Sequence, residues 1–257
     1  MTRIRGTPAA ALLAATLLAC CLPAGHTRAA EALYLTWNEC ALDGLAVHDR
    51  TSVCGVNTGG QDLFVAFRMP FASDSVLGLE IVVDVQHSAA TMPDWWMLAS
   101  DGCRAGALQV SFDFTTNPVC ADFFLGNASG GLQGYYVREP RGGTNQARMK
   151  LAGAFLPAFG YASLNADDLY YGAKMSLLNV NTVSPGPVCP GCFGGACLVL
   201  NSILVRRQPG AAGGDVYLTT PGPANANFAT WQGGTGASCA AVPARSVTWG
   251  RLKSLYR

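Results

Sequence analysis

Charge and histidine are both scarce in this chain, and each shortage excludes functions before any motif is sought. Charged residues make up 13% of the 257 positions, about half the share usual in globular proteins. Seventeen Lys and Arg stand against 16 Asp and Glu, so there is no basic excess to draw the chain to nucleic acid or anionic lipid. Of the three histidines, His26 lies near the N-terminus, which leaves His48 and His87 for any histidine chemistry. A Ser-His-Asp triad has no Gly-x-Ser-x-Gly elbow to use, and no His-Glu-x-x-His, P-loop or dinucleotide fingerprint occurs. Glutamate is limited to Glu31, Glu39, Glu80 and Glu139. Glu80 and Asp84 share one face of an expected strand roughly 13 Å apart, too far for the paired carboxylates of a glycosidase. No apolar run after residue 30 reaches the 18 or so residues of a membrane span.

What is present points outside the cytosol. Arg3 and Arg5 precede an apolar run from Ala9 to Leu22, and Ala24, Ala29 and Ala30 offer small residues for cleavage. Residues 1–30 therefore read as a signal peptide, and 31–257 as a single secreted, periplasmic or cell-surface domain. Leu17-Leu18-Ala19-Cys20 also resembles a lipoprotein box, although Leu at its middle position fits poorly. Without the leader the chain carries 14 basic and 16 acidic residues. A hydrophobic content of 50% is enough to bury a core and excludes disorder.

Thirty glycines and 14 prolines punctuate short runs of strand-like alternation. Leu79, Ile81, Val83 and Val85 share one face of the run 78–86, opposite Glu80, Asp84 and Gln86. Runs 108–114, 147–155 and 173–177 alternate in the same way, and further strands are expected at 33–37, 62–69, 133–138, 197–207 and 215–219. Helical crossovers between them are absent, so about ten mostly antiparallel strands in a disulfide-stapled, all-β sandwich follow, of jelly-roll or immunoglobulin- or cohesin-like type. From Thr248, the three- and four-residue spacing of Trp249, Leu252, Leu255 and Tyr256 predicts a short C-terminal helix that docks on the sandwich.

An exported chain with Cys40, Cys54, Cys103, Cys120, Cys189, Cys192, Cys197 and Cys239 beyond its leader reads as fully disulfide-bonded. Near-neighbour pairing suggests Cys40–Cys54 and Cys103–Cys120. The other four are then left to pair among themselves, by one local bridge to Cys197 and one long bridge to Cys239. Cys189-Pro-Gly-Cys192 has the spacing of a zinc knuckle or a redox motif, but it lacks a second knuckle and lies in a Pro/Gly loop. Neither a metal nor a cofactor is expected.

Pro93-Asp94-Trp95-Trp96-Met97 is the most suggestive local feature. Adjacent residues on a strand edge point to opposite sides, so one indole would face outward as a stacking platform for a sugar, with Asp94 to hold a hydroxyl. Trp231 would offer a second platform; the competing expectation makes all these rings core filling. The strand fragments Val76-Leu77-Gly78-Leu79-Glu80-Ile81 and Tyr170-Tyr171-Gly172-Ala173-Lys174-Met175 resemble those of cohesin-like and carbohydrate-binding modules, and carry no family site residues with them. The expectation is an exported non-catalytic module that binds a polysaccharide or another surface protein. A secreted hydrolase acting on glycosides or polysaccharides is the alternative.

Overall fold

A computed structural model describes residues 30–116 and 119–240. The signal-peptide reading of 1–30 (apart from residue 30 itself), Cys20 and the helix expected from Thr248 lie outside the described residues.

Among the described residues the chain forms twelve strands: β1 (Ala32–Trp37), β2 (Asp49–Arg50), β3 (Gly60–Arg68), β4 (Ser73–His87), β5 (Leu108–Ser111), β6 (Ala128–Val137), β7 (Gln146–Phe155), β8 (Ala162–Leu164), β9 (Leu169–Leu178), β10 (Ala196–Arg207), β11 (Val216–Leu218) and β12 (Phe228–Trp231). The helical content is limited to single 3-10 turns. Nine of the strands fall in runs expected from the sequence. The short β2, β8 and β12 are additions, too brief to carry a period.

The strands make two sheets, ordered β1-β3-β9-β5 and β2-β12-β10-β4-β7-β6, with β11 beside β10 and β8 beside β4. Every pairing is antiparallel except that of β12 with β2. Alternation puts Leu79, Ile81, Val83 and Val85 of β4, Ala147, Met149 and Leu151 of β7, and Leu63, Val65 and Phe67 of β3 into one shared core.

All six residues of β1 are buried, which a one-sided sheet does not allow. Leu33, Leu35 and Trp37 point into the shared core, whereas Ala32 and Tyr34 join Phe64, Ala66, Phe114 and Tyr171 in a second cluster on the other side of the small sheet. Phe114 stacks on Tyr171 at 4.2 Å and 6°. The Cys40–Cys120 disulfide closes this outer cluster.

The near-neighbour cysteine pairing is overturned. The bonds are Cys40–Cys120, Cys54–Cys192, Cys103–Cys189 and Cys197–Cys239, and two of them join the early cysteines to the Cys189/Cys192 loop. Cys239 does take a bridge, but its partner is Cys197 itself. Antiparallel sheets bring loops distant in sequence to the same end, so proximity along the chain is a poor guide to proximity in space.

Candidate functional site: the stapled loop end

Strand directions place five connections at one end of the molecule: 38–59, 88–107, 138–145, 179–195 and 232–240. Cys54–Cys192 and Cys103–Cys189 tie three of these connections together, and Cys197–Cys239 fastens the last of them to the start of β10. Hydrogen bonds add to them. Asn57 accepts from the backbone N–H groups of Thr182 and Val183 at 2.8 Å each, and Gln232 donates to Ser52 O at 2.9 Å.

Under the loops lies a cluster of four tryptophans. Trp95 and Trp231 are 4.8 Å apart between ring centroids, Trp95 and Trp96 5.1 Å, and Trp37 and Trp231 5.8 Å. Three of the four indole N–H groups have partners inside the protein, and that of Trp96 is buried without one. Trp37 donates to Thr230 O at 2.9 Å, Trp95 to the Thr182 hydroxyl at 3.1 Å, and Trp231 to Cys192 O at 2.8 Å. Trp95, Trp96 and Trp231 are all 0% exposed, so none presents a face to a sugar. Two local geometries explain this. Asp94–Trp96 is a 3-10 turn rather than a strand edge, which removes the alternation that would turn one ring outward. Trp231 belongs to β12, where it follows Ala229 on the inward face. Asp94, at the start of the turn, remains exposed.

Arg104 is the residue that sequence reasoning missed. Its guanidinium lies 3.6 Å from the Trp95 ring centroid and is 0% exposed. It donates to Trp95 O at 2.7 Å, to Val180 O at 3.0 Å and to Leu178 O. Among the described residues none of the ion pairs includes it. Burial draws its pKa down to about 10, so it keeps its charge at neutral pH. Tyr135 lies close by, donates to Trp96 O at 2.5 Å, and has its phenol pushed up by burial. The one sequence signal for Arg104 is its place beside Cys103 in a stretch otherwise lacking cations.

His87 is 2% exposed. Continuation of β4 gives it the inward side of Val83 and Val85, and the 191–194 turn covers its ring. Nδ1 accepts from the Ala89 N–H at 2.9 Å, which puts the proton on Nε2, toward the backbone of Gly191 and Gly194. Burial lowers its pKa, and those backbone groups oppose the effect only in part. A base held neutral by the fold contributes stability fully above its unfolded pKa near 6.5, and loses it as pH falls toward the folded value. Thermal unfolding followed from pH 7.5 down to 4.5 should therefore show a decline that His87→Gln flattens. An unchanged slope would remove His87 as its source.

The remaining acids do not converge here. Asp84 pairs with Arg148 through two bonds of 2.7 and 2.8 Å and accepts from Asn201 at 2.6 Å, on the side of the large sheet away from the core. Glu80 and Asp215 both hold Arg206. Asp168 binds Asn165 at 2.9 Å and also Tyr170, which is turn chemistry. His48 is exposed and hydrogen-bonds Phe228 O at 2.8 Å. Among the described residues no three of His, Cys, Asp and Glu gather as a metal site would require.

Two of the loops at this end present apolar side chains. Val53 and Phe193, 70% and 79% exposed, flank the two halves of the Cys54–Cys192 bond. Val56 and Val188 stand exposed on the same two loops, and residues 183–195 include no charge. No protein-family model matches the chain, and no curated protein matches its sequence. Its function must be argued from this geometry.

Proposed function

We propose that this is an exported, non-catalytic β-sandwich module, completed by a short helix from Thr248, that grips an apolar face of another exported or surface protein with its stapled loop end. The carrying observation is the Cys54–Cys192 bond, which fixes Val53 and Phe193 together on the surface. Exposed apolar side chains on a rigid base lose little entropy on docking, which favours binding. Four disulfides, and no helix among the described residues long and apolar enough to cross a membrane, support a location outside the cytosol. The inward-turned indoles favour a protein partner over a polysaccharide, because among the described residues no tryptophan face is free to stack on a sugar.

The test compares immobilised wild type with the double variant Val53→Asp/Phe193→Asp, exposed to the secreted fraction of the native host. Both positions are mostly solvated, so folding stability should change by less than about 0.5 kcal/mol. A specific protein retained by the wild type and released by the variant is the expected result. Equal retention by the two proteins, or retention of a polysaccharide alone, overturns the reading.

A further inference from the structure

Exposed apolar side chains gather at the two ends of the sandwich. Among the described residues, sixteen large ones are exposed. Eight stand on the 38–59 and 179–195 connections of the loop end, and six on the 69–72, 112–127 and 156–161 connections at the opposite, far end. Only Tyr136 and Tyr217, each tipped by a hydroxyl, stand on the strands between. Contiguous apolar surface on an exported protein marks a contact, and this molecule has it at both poles.

Two neighbouring turns build the far tip. Leu156 donates its N–H to Asn127 O at 2.9 Å, which sets the turn 122–126 beside the 156–161 connection. Asp122 closes the first turn by accepting from the Phe124 and Gly126 N–H groups at 3.0 and 3.1 Å. Pro157–Phe159 forms a 3-10 turn in the second. Phe123, Phe124 and Phe155 pack beneath them, with Phe124 and Phe155 4.9 Å apart between ring centroids. With that base filled, Leu125 and Phe159, 74% and 54% exposed, remain on the surface beside Leu156 and Tyr161. Residues 123–137 and 151–166 carry no charge.

Charge distinguishes the ends. The far-end segments 69–72, 112–127, 156–168 and 208–215 hold Asp113, Asp122, Asp167, Asp168 and Asp215, and no Lys or Arg. The nearby Arg206 and Arg207 of β10 are taken up by Glu80, Asp215 and Asp74. The loop end holds Arg138 and Arg141, and none of the ion pairs among the described residues includes either. Of its acids, Glu39, Asp43 and Asp49 already accept hydrogen bonds within the protein, and Glu139 faces Arg148 at 4.0 Å. Asp94 and Asp101 then stand against the two arginines, so the loop end is near neutral. Two far ends brought together would set acid against acid, whereas a far end on a loop end meets arginine.

We propose that the apolar face taken by the loop end is the far end of a second copy. Val53 and Phe193 of one molecule pack on Leu125, Leu156 and Phe159 of the next, so that copies add head to tail. A contact between two different faces leaves one of each free on every assembly, which gives open chains rather than a closed pair. This rests on the loop-end reading and names its partner.

Sedimentation velocity of the full oxidised chain, from dilute to concentrated, tests it. The wild type should form larger species as concentration rises. Val53→Asp/Phe193→Asp, which blocks one face, and Leu125→Asp/Phe159→Asp, which blocks the other, should each stay monomeric. All four side chains are exposed, and Leu125 has a φ of 50°, a left-handed position that aspartate tolerates, so both variants should keep the Tm of the wild type. An equimolar mixture of the two variants should form a species of twice the monomer mass and nothing larger, because each supplies the face the other lacks. Dimers in either variant alone overturn the proposal. So does flotation of the wild type with neutral phosphatidylcholine vesicles that Leu125→Asp/Phe159→Asp abolishes, which would assign the far end to lipid. A wild type that stays monomeric while its loop end retains a different secreted protein overturns the proposal and leaves the loop-end reading standing; if it retains nothing, both fall.

Discussion

Replacing Arg104 with methionine should lower stability by about 3–5 kcal/mol, a fall of about 8–15 °C in Tm for a domain of this size. Opposing contributions decide the sign. The guanidinium is wholly desolvated, and the shift to about 10 corresponds to about 3 kcal/mol of charge penalty that methionine would relieve. Against that stand hydrogen bonds to three carbonyls, the buried one of Trp95 and the part-buried ones of Leu178 and Val180, each contributing about 1.5–3 kcal/mol when the donor is charged. The stack on Trp95 contributes up to about 2 kcal/mol more. Methionine preserves the stem and leaves all three carbonyls without a donor, so the loss outweighs the relief. Lysine is the sharper control. Its compact ammonium carries the same burial penalty but lacks the planar fork that reaches three acceptors, so Arg104→Lys should be no more stable than Arg104→Met. Thermal unfolding without reductant reads both variants. A lysine variant as stable as wild type would mean that charge, and not fork geometry, fastens the loops at this point.

The same residue shows where reading the sequence stops. Period-two alternation locates β4 and β7 because each has one dry and one wet side, and the pattern records that contrast directly. The strand β1 reads as apolar throughout, and only its neighbours reveal that two separate clusters use its two sides. Arg104 has no pattern at all, since two of its three carbonyl partners lie 74 and 76 residues away. The Trp95-Trp96 pair shows the converse failure. Its composition suggests a platform, but a single 3-10 turn reverses the outcome. Disulfide chemistry was legible from the even number of cysteines beyond residue 30. Connectivity was not, because it depends on which loops share an end of the sheets.

Removing the Cys54–Cys192 bond, by Cys54→Ala with Cys192→Ala, is the second change expected to be large. The residues are 138 apart, and in an otherwise uncrosslinked chain a loop of that length would confer about 5 kcal/mol. The other bonds shorten the loop. From Cys54 the covalent path runs back to Cys40, across to Cys120, back to Cys103, across to Cys189 and on to Cys192, about 34 residues, for about 4 kcal/mol. Near-neighbour pairing would have given local loops worth about 3 kcal/mol each. The comparison that separates stability from function is the matching removal of Cys40–Cys120. That bond ties the start of the 38–59 connection to the outer cluster of the small sheet and includes neither Cys54 nor Cys192, so its loss should also destabilise while leaving Val53 and Phe193 joined. If the stapled tips make the contact, the Cys54/Cys192 variant loses its partner at temperatures where it is still folded, and the Cys40/Cys120 variant keeps it. Partner binding that follows Tm equally in both variants would assign the disulfide to stability alone and move the contact surface elsewhere.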